Sequence, residues 1–286
     1  MDLVRPGAPV TASLIPPLFR GLLDDAAVFP PGSLPLADAV PAHSRHLAAA
    51  YRELVGPLVL PASALPGLEI GAVDVSVTLP DGPAGLPGVL EAMASSPARL
   101  AGLEIPVPAG MGVPEFFTAL EAAPAPVFVE VPRDERRAGT LAACAETGHR
   151  AKFRTGGVRA ELYPDETELA AAILAAVRAE VSFKATAGLH HAVRNTDPVT
   201  GFEQHGYLNL LLATAVAAGG AAEPEVVAAL AERDRAEVAR RVSTVEEEVR
   251  GRFLSFGTCD ILEPLTELVE LDLVAAGALG GDGAKA

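Results

Sequence analysis

Two short apolar stretches, residues 151–157 (AKFRTGG) and 182–191 (SFKATAGLHH), decide how this chain folds. Each has the pattern of a β-strand that runs into glycine, and each places a lysine among residues that we expect to be buried. A buried ammonium group is costly unless an anion pairs with it. These two strands are therefore the reference points for the rest of the chain.

The same pattern recurs on both sides of these stretches: a short apolar run, a proline or glycine stop, and then an alanine-rich helix. It predicts eight strands, the first within residues 21–30 and the others at 56–61, 73–80, 100–108, 126–132, 149–155, 181–186 and 253–259. Strands that alternate with helices indicate a parallel sheet with helical crossovers. Eight such units predict an α/β protein with a (β/α)8 TIM barrel.

The predicted domain organisation is one barrel domain over residues 1–275, followed by a disordered tail over 276–286. Residues 189–250 form a helical insertion between strands seven and eight, which we expect to act as a lid. The insertion is predicted to hold an apolar helix from Tyr207 and one charged helix over 224–250. Other helices are expected at 36–55, 85–95, 114–123, 133–147, 165–179 and 263–275.

Composition narrows the possible partners. The formal net charge of −15 argues against nucleic acid and against anionic membrane surfaces. The sequence contains neither an apolar run long enough to span a bilayer nor an apolar N-terminal signal, so we expect a cytoplasmic protein. Cys144 and Cys259 lie too far apart to suggest a zinc site or a disulfide framework. A small-molecule substrate, no cofactor and a possible homo-oligomer are the expectations.

Lysine is rare in this chain, which makes its placement informative. Only three lysines occur, Lys152, Lys184 and Lys285, whereas lysine and arginine together number 22. Arginine keeps its proton, but a buried lysine can be driven neutral and then act as a nucleophile. Strand alternation points Lys152 and Lys184 into the barrel from neighbouring strands. Arg154 and Thr186 share those inward faces.

The carboxyl ends of barrel strands form the active site of such folds. The chemistry-bearing residues expected there are Asp24, Asp25, Glu104, Glu130, Lys152, Arg154, Lys184, Thr186, His190, His191 and Thr258. A nearby cation and desolvation both lower the pKa of a lysine, so one lysine can activate the other. The alternative interpretation is a pair of structural cations, each neutralised by a carboxylate.

Four of these strand ends resemble those of class I aldolase barrels of the deoxyribose-phosphate aldolase type. The matching stretches are 152–156 (KFRTG), 183–188 (FKATAG), 256–259 (FGTC) and, loosely, 103–105 (LEI). The resemblance implies that Lys152 is the Schiff-base lysine and that Glu104 moves protons. It also implies that Gly257 and Thr258 help to hold phosphate.

The chain departs from that family at several places. Glu104 stands where the family has aspartate, Arg154 replaces a small polar residue, and residues 187–188 (AG) replace a Gly-Gly pair. We therefore expect a distant branch with its own substrate, which is not deoxyribose phosphate.

The resulting hypothesis is a Schiff-base carbon–carbon lyase acting on a small oxo or hydroxylated, anionic metabolite. Lys152 is the nucleophile, Lys184 tunes it, and Glu104, His190 or His191 moves protons. The residues expected to bind substrate are Arg154, Thr155, Gly156, Gly157, Thr186, Arg194, His205, Asn209, Gly257 and Thr258.

Two other functions fit the same residues. One is a metal-dependent barrel lyase or hydrolase with a site built from Asp24, Asp25 and His190. The other is a non-catalytic barrel that binds a metabolite. His190 and His191 would then be ordinary residues of a polar loop, and Arg194 a partner in a salt bridge.

Overall fold

Eight parallel strands close into a barrel in the computed structural model, which describes residues 13–66 and 71–280. The barrel strands are β1 (Leu23–Asp25), β2 (Val55–Pro61), β3 (Asp74–Thr78), β4 (Arg99–Pro106), β5 (Val127–Glu130), β6 (Arg150–Arg154), β7 (Phe183–Thr186) and β10 (Phe253–Thr258). The closing pairs are β1 with β2 and β1 with β10. The predicted α/β barrel is confirmed.

The helices follow the strands at nearly every crossover. They are α1 (Leu36–Ala48), α2 (Leu86–Ala94), α3 (Val113–Ala119), α4 (Arg137–Thr147), α5 (Glu166–Arg178), α6 (Tyr207–Ala218), α7 (Glu223–Ala231), α8 (Arg235–Val242) and α9 (Leu262–Glu270). Between β2 and β3 the described residues contain only a 3-10 helix, Ala62–Ala64.

Strand alternation separates a charged interior from an aromatic outer layer. The ring of Phe153 packs on Phe183, and Phe183 stacks on Phe253, with ring centroids 5.0 and 5.4 Å apart. The parallel register aligns Lys152 of β6 with Lys184 of β7. Because neighbouring strands are in register, both lysines lie at one level inside the barrel.

The insertion at 189–250 holds a short hairpin and three helices rather than two long helices. The hairpin pairs β8 (Asn195–Thr196) with β9 (Glu203–Gln204). The single charged helix predicted over 224–250 is wrong: α7 ends at Ala231, α8 starts at Arg235, and a 3-10 helix covers Glu247–Gly251. Asp234 is the N-cap of α8, because its carboxylate accepts hydrogen bonds from the backbone N–H groups of Ala236 and Glu237.

Helix α6 is part of the core and does not form a cover over the barrel. Its Tyr207 ring stacks on Phe256 at 4.8 Å, and the Tyr207 hydroxyl donates a hydrogen bond to the Pro264 carbonyl at 2.9 Å. The residues of this insertion that line the cavity at the carboxyl ends of the strands come from the β8–β9 hairpin and from residues 189 and 190.

At the C-terminus, Ala276–Leu279 form a 3-10 helix with Ala278 buried, although the sequence placed them in a disordered tail. The rest of that predicted tail, beyond residue 280, lies outside the described residues. None of the helices described has both the length and the apolar character that crossing a membrane requires.

Candidate active site

A cavity of about 700 Å³ opens at the carboxyl ends of the barrel strands. Ten of the residues selected from the sequence line it: Glu104, Glu130, Lys152, Arg154, Gly157, Lys184, Thr186, His190, Gly257 and Thr258. A volume of this size is typical of small-molecule sites. The structure thus brings the two lysines and their expected neighbours together in one enclosed space.

The charged side chains inside the barrel form an alternating row that we call the ion chain: Arg154, Glu130, Lys152, Glu104, Lys184 and Asp24. Lys152 Nζ lies 2.9 Å from Glu104 Oε2 and 3.0 Å from Glu130 Oε2. Arg154 Nε donates a hydrogen bond to the other oxygen of Glu130 at 2.8 Å. Each cation in the row contacts at least one carboxylate, as a buried charge requires.

Lys184 is held more tightly than Lys152. Its Nζ donates hydrogen bonds to Asp24 and, at 2.6 Å, to Glu104 Oε1. Ser76 donates a further hydrogen bond to Glu104 Oε1, and Ser255 donates one to Asp24, both at 2.9 Å. Glu104 therefore bridges the two lysines, with one oxygen on each.

Charge pairing outweighs burial at Glu104 and Lys184, whereas burial raises the pKa of Asp24. Burial alone would raise the pKa of Glu104, but Lys184 and Lys152 outweigh it and hold the Glu104 pKa far below its usual range. Burial would lower the pKa of Lys184, but Asp24 and Glu104 outweigh it and the pKa is raised. Lys184 is therefore a paired ammonium ion, not the free cation that the tuning role assumed.

The Asp24 carboxylate of the ion chain fits beside β2 because a glycine lies next to it there. A side chain at Gly56 would collide with the Asp24 carboxylate, so glycine is needed where β2 passes Asp24. Below Lys184 the ring of Phe128 lies 5.2 Å from Nζ and presents its face to the cation.

The two histidines after β7 separate. His190 lines the cavity, and its Nδ1 lies 3.9 Å from Cys259 Sγ and 3.8 Å from Glu263 Oε2. These contacts raise the pKa of His190, and the contact with Cys259 has the larger effect. His191 does not line the cavity and instead pairs with Glu267 of α9 at 2.7 Å. A proton-transfer role at this cavity is therefore open to His190 but not to His191.

Three of the predicted substrate-binding residues lie elsewhere. Arg194, His205 and Asn209 form a separate buried cluster, the hairpin network, with Glu166 and Glu203. Asn209 Oδ1 accepts a hydrogen bond from the Arg194 backbone at 2.8 Å. None of the three lines the cavity, so the structure separates them from the other predicted substrate-binding residues.

The imidazole of His205 belongs to this network as a neutral ring. Its Nε2 lies 2.8 Å from the Pro164 carbonyl, and its Nδ1 lies 3.3 Å from Arg194 Nη1. These partners assign the hydrogen to Nε2, because Nδ1 must accept from the guanidinium. Burial lowers the pKa of His205 to about 4.

Thr155 and Gly156 lie behind the cavity wall rather than on it. Thr155 Oγ1 donates a hydrogen bond to the Ala187 carbonyl at 2.6 Å and so ties β6 to β7. A methyl group at Gly156 would lie 2.8 Å from the ring of Tyr163, and one at Gly157 would collide with Leu162. These glycines are needed because the apolar side chains of residues 162 and 163 lie against them.

The proposed metal ligands do not converge. Asp24 pairs with Lys184, whereas Asp25 pairs with His43 Nδ1 at 2.9 Å. His190 lies with Cys259 at the rim of the cavity. Within residues 13–66 and 71–280 no group of three or more His, Cys, Asp or Glu side chains is placed to hold a metal ion.

Sequence reasoning missed several residues of the site. Ser76 and Ser255 are polar positions inside apolar strand runs, which is the signal that singled out the lysines. Tyr163 and Phe202 line the cavity from loops, where no periodic pattern marks them.

Comparisons with known proteins found no family model, no curated protein and no solved structure that matches this chain. The fold and the geometry of the cavity therefore carry the functional argument.

Proposed function

We propose that this protein is a Schiff-base carbon–carbon lyase of the class I aldolase kind, acting on a small oxo acid. The observation that carries the proposal is the pair of inward-facing lysines, bridged by Glu104, at the floor of an enclosed cavity. The resemblance of residues 152–156 and 183–188 to the deoxyribose-phosphate aldolase type supports the same chemistry.

Lys152 is the better nucleophile of the two lysines. Lys184 is 1% exposed and donates hydrogen bonds to Asp24 and, at 2.6 Å, to Glu104, whereas Lys152 is 5% exposed and its Nζ lies farther from its two carboxylates, at 2.9 and 3.0 Å. An amine must lose one proton and turn toward a carbonyl carbon before it can attack. Lys152, the less constrained of the two, can lose a proton and turn toward the carbonyl carbon at a lower cost in free energy.

The chemistry follows from these positions. The neutral Lys152 amine attacks the substrate carbonyl to give a carbinolamine, whose hydroxyl group takes up one proton and leaves as water, so that an iminium ion forms. A base removes the proton of the substrate's β-hydroxyl group, the α–β carbon bond breaks, and its electron pair moves toward the iminium nitrogen. Glu104 and Glu130 flank the Lys152 nitrogen, so they stabilise the iminium charge and are placed to exchange protons.

Lys184 and Arg154 have supporting roles in this proposal. Lys184 keeps Glu104 ionised and aimed at Lys152. Arg154 lies two residues beyond Lys152 on the same strand face and lines the cavity, so it is placed to bind a carboxylate next to the reacting carbonyl.

Borohydride trapping tests the proposal. The protein is incubated with a panel of 2-oxo acids, ketones and aldehydes, reduced, digested and analysed by mass spectrometry. We expect a substrate-dependent adduct on Lys152, with Lys285 as the internal reference for nonspecific modification. An adduct on Lys184 alone would exchange the two roles. No adduct above the Lys285 background would reject the Schiff-base route and favour a barrel that only binds a metabolite.

A further inference from the structure

We infer that the substrate is an oxo acid with an apolar substituent of aromatic size, and not a phosphorylated sugar. This inference rests on the proposed function and defines its substrate class. Three features of the cavity carry it: the charge balance of its floor, the occupied helix terminus beside it, and the apolar wall at its mouth.

The floor of the cavity has little positive charge to spare for a phosphate dianion. Lys152, Lys184 and Arg154 are each paired with a carboxylate of the ion chain. Asp197 adds a further carboxylate to the cavity lining, and its charge is opposite in sign to that of His190. A dianion would have to compete with carboxylates that are already in place, whereas a single carboxylate needs only one donor group.

In TIM barrels, phosphate is often bound by the loops after the last two strands, together with a helix N-terminus. Here that terminus is occupied by the protein itself. Asp260 Oδ1 accepts hydrogen bonds from the backbone N–H groups of Leu262 at 2.7 Å and of Glu263 at 3.3 Å. A carboxylate at the start of α9 repels the anion that such a site would hold.

Three glycines in the loops after β6 and β7 lie against the side chains of this apolar wall. The ring of Tyr163 lies against Gly156 and Gly188, where a methyl group would come within 2.8 and 2.9 Å of its Cε1 atom. Leu162 lies against Gly157 in the same way. A Cβ atom added at any of these glycines would therefore meet Leu162 or Tyr163.

The resulting wall is apolar and continuous with the site. Its members are Phe29, Pro30, Pro31, Leu162, Tyr163 and Phe202, all of which line the same cavity as Lys152. The rings of Tyr163 and Phe202 lie 5.5 Å apart at 57°, which joins the β6 loop to the hairpin. These aromatic side chains are only half-buried, so a ligand ring placed there would remove apolar surface from water.

Arg154 supplies the polar end of the same ligand. Its side chain is 37% exposed, and its Nε and Nη2 atoms contact Glu130. Nη1 has no hydrogen-bond partner among the described residues, so a donor remains for one carboxylate. A molecule with a carboxylate at Arg154, a carbonyl at Lys152 and an apolar group at the wall satisfies all three surfaces.

Calorimetric titration of the intact protein with 3-phenyllactate, lactate and glycerol 3-phosphate tests the inference. None of these probes has a ketone or aldehyde group, so binding is measured without Schiff-base chemistry. We expect 3-phenyllactate to bind at least about tenfold more tightly than lactate, because the phenyl group is removed from water. Phe202→Ala should abolish most of that preference. Val199→Ala, in the same hairpin but 91% exposed and outside the cavity lining, should preserve it.

The outcomes separate the two proposals. Equal affinities for 3-phenyllactate and lactate, no binding of either, or tighter binding of glycerol 3-phosphate would overturn the substrate class. That result leaves the lyase proposal to the trapping experiment, which reports on Lys152 with any carbonyl compound. A phenyl preference without any lysine adduct would support the ligand class and reject the lyase.

Discussion

The ion chain and the hairpin network are both buried clusters of charged side chains, yet only one of them opens onto a cavity. In the hairpin network, Arg194 contacts Glu166, Glu203 and His205, and the Asn209 side chain bonds only to backbone groups. Its members fasten the insertion to the start of α5. In the ion chain, Lys152, Glu104 and Glu130 bond to one another and still line open space.

The comparison teaches that burial of a polar residue does not by itself identify a site. Both clusters satisfy the requirement that buried charge be paired. Access to a cavity is what distinguishes a group that can meet a ligand from one that holds two elements together. The predictions below test whether the clusters differ in this way.

The largest expected effect on stability is that of Glu104→Gln. The amide leaves both lysines without their shared carboxylate, and we expect a loss of about 3–5 kcal/mol in the free energy of unfolding. Urea denaturation measures it. Ser76→Ala is the matched control, because it removes one hydrogen bond to the same carboxylate and should cost about 1 kcal/mol. Equal, small losses in both variants would mean that the ion chain is not a coupled unit.

Asn209→Ala tests the purely structural role of the hairpin network. The amide accepts from the Arg194 backbone and donates to the carbonyls of Ala229 and Glu232, all at 2.8–2.9 Å. Leaving those buried groups unpaired should cost about 3 kcal/mol in urea denaturation. The affinity for 3-phenyllactate should stay within about twofold. Weaker binding of 3-phenyllactate with an unchanged free energy of unfolding would instead indicate that Asn209 takes part in ligand binding.

His205 gives the hairpin network a pH dependence. Its pKa is lowered to about 4 from the ordinary value of 6.5, so between these values the unfolded chain binds a proton that the native ring does not. Stability should therefore fall as the pH drops through this window, by about 2 kcal/mol between pH 7 and pH 5.

His205→Gln should remove that dependence, because the amide can still donate to the Pro164 carbonyl and does not titrate. His191→Gln is the control, since His191 is partly exposed and paired with Glu267. Urea denaturation at both pH values checks the difference. An unchanged slope in His205→Gln would place the titrating group elsewhere.

Much of the fold could be predicted because its signals are local. Most of the barrel strands occur where an apolar run ends in proline or glycine. The helix boundaries in the charged segment at 224–250 are harder to predict. The break at Asp234 depends on its capping hydrogen bonds, which compete with the helix propensity of the neighbouring residues.

The site could be predicted only in part. Lys152, Lys184 and Glu104 were found because a polar residue in an apolar strand is conspicuous. Which carboxylate faces which lysine depends on the strand register around the closed barrel. This register cannot be deduced from the sequence of any single strand. The surroundings of Gly156 and Gly157 could not be predicted, because their neighbours, residues 162 and 163, come from a loop with no periodic pattern.

The most direct test of the central claim compares borohydride-dependent labelling in Lys152→Arg and Lys184→Arg, both of which keep the charge of the ion chain. Phenylpyruvate is the carbonyl probe, and the readout is the mass of the reduced adduct. We expect no adduct in Lys152→Arg and a slower but detectable adduct on Lys152 in Lys184→Arg. Undiminished labelling of Lys152→Arg would contradict it.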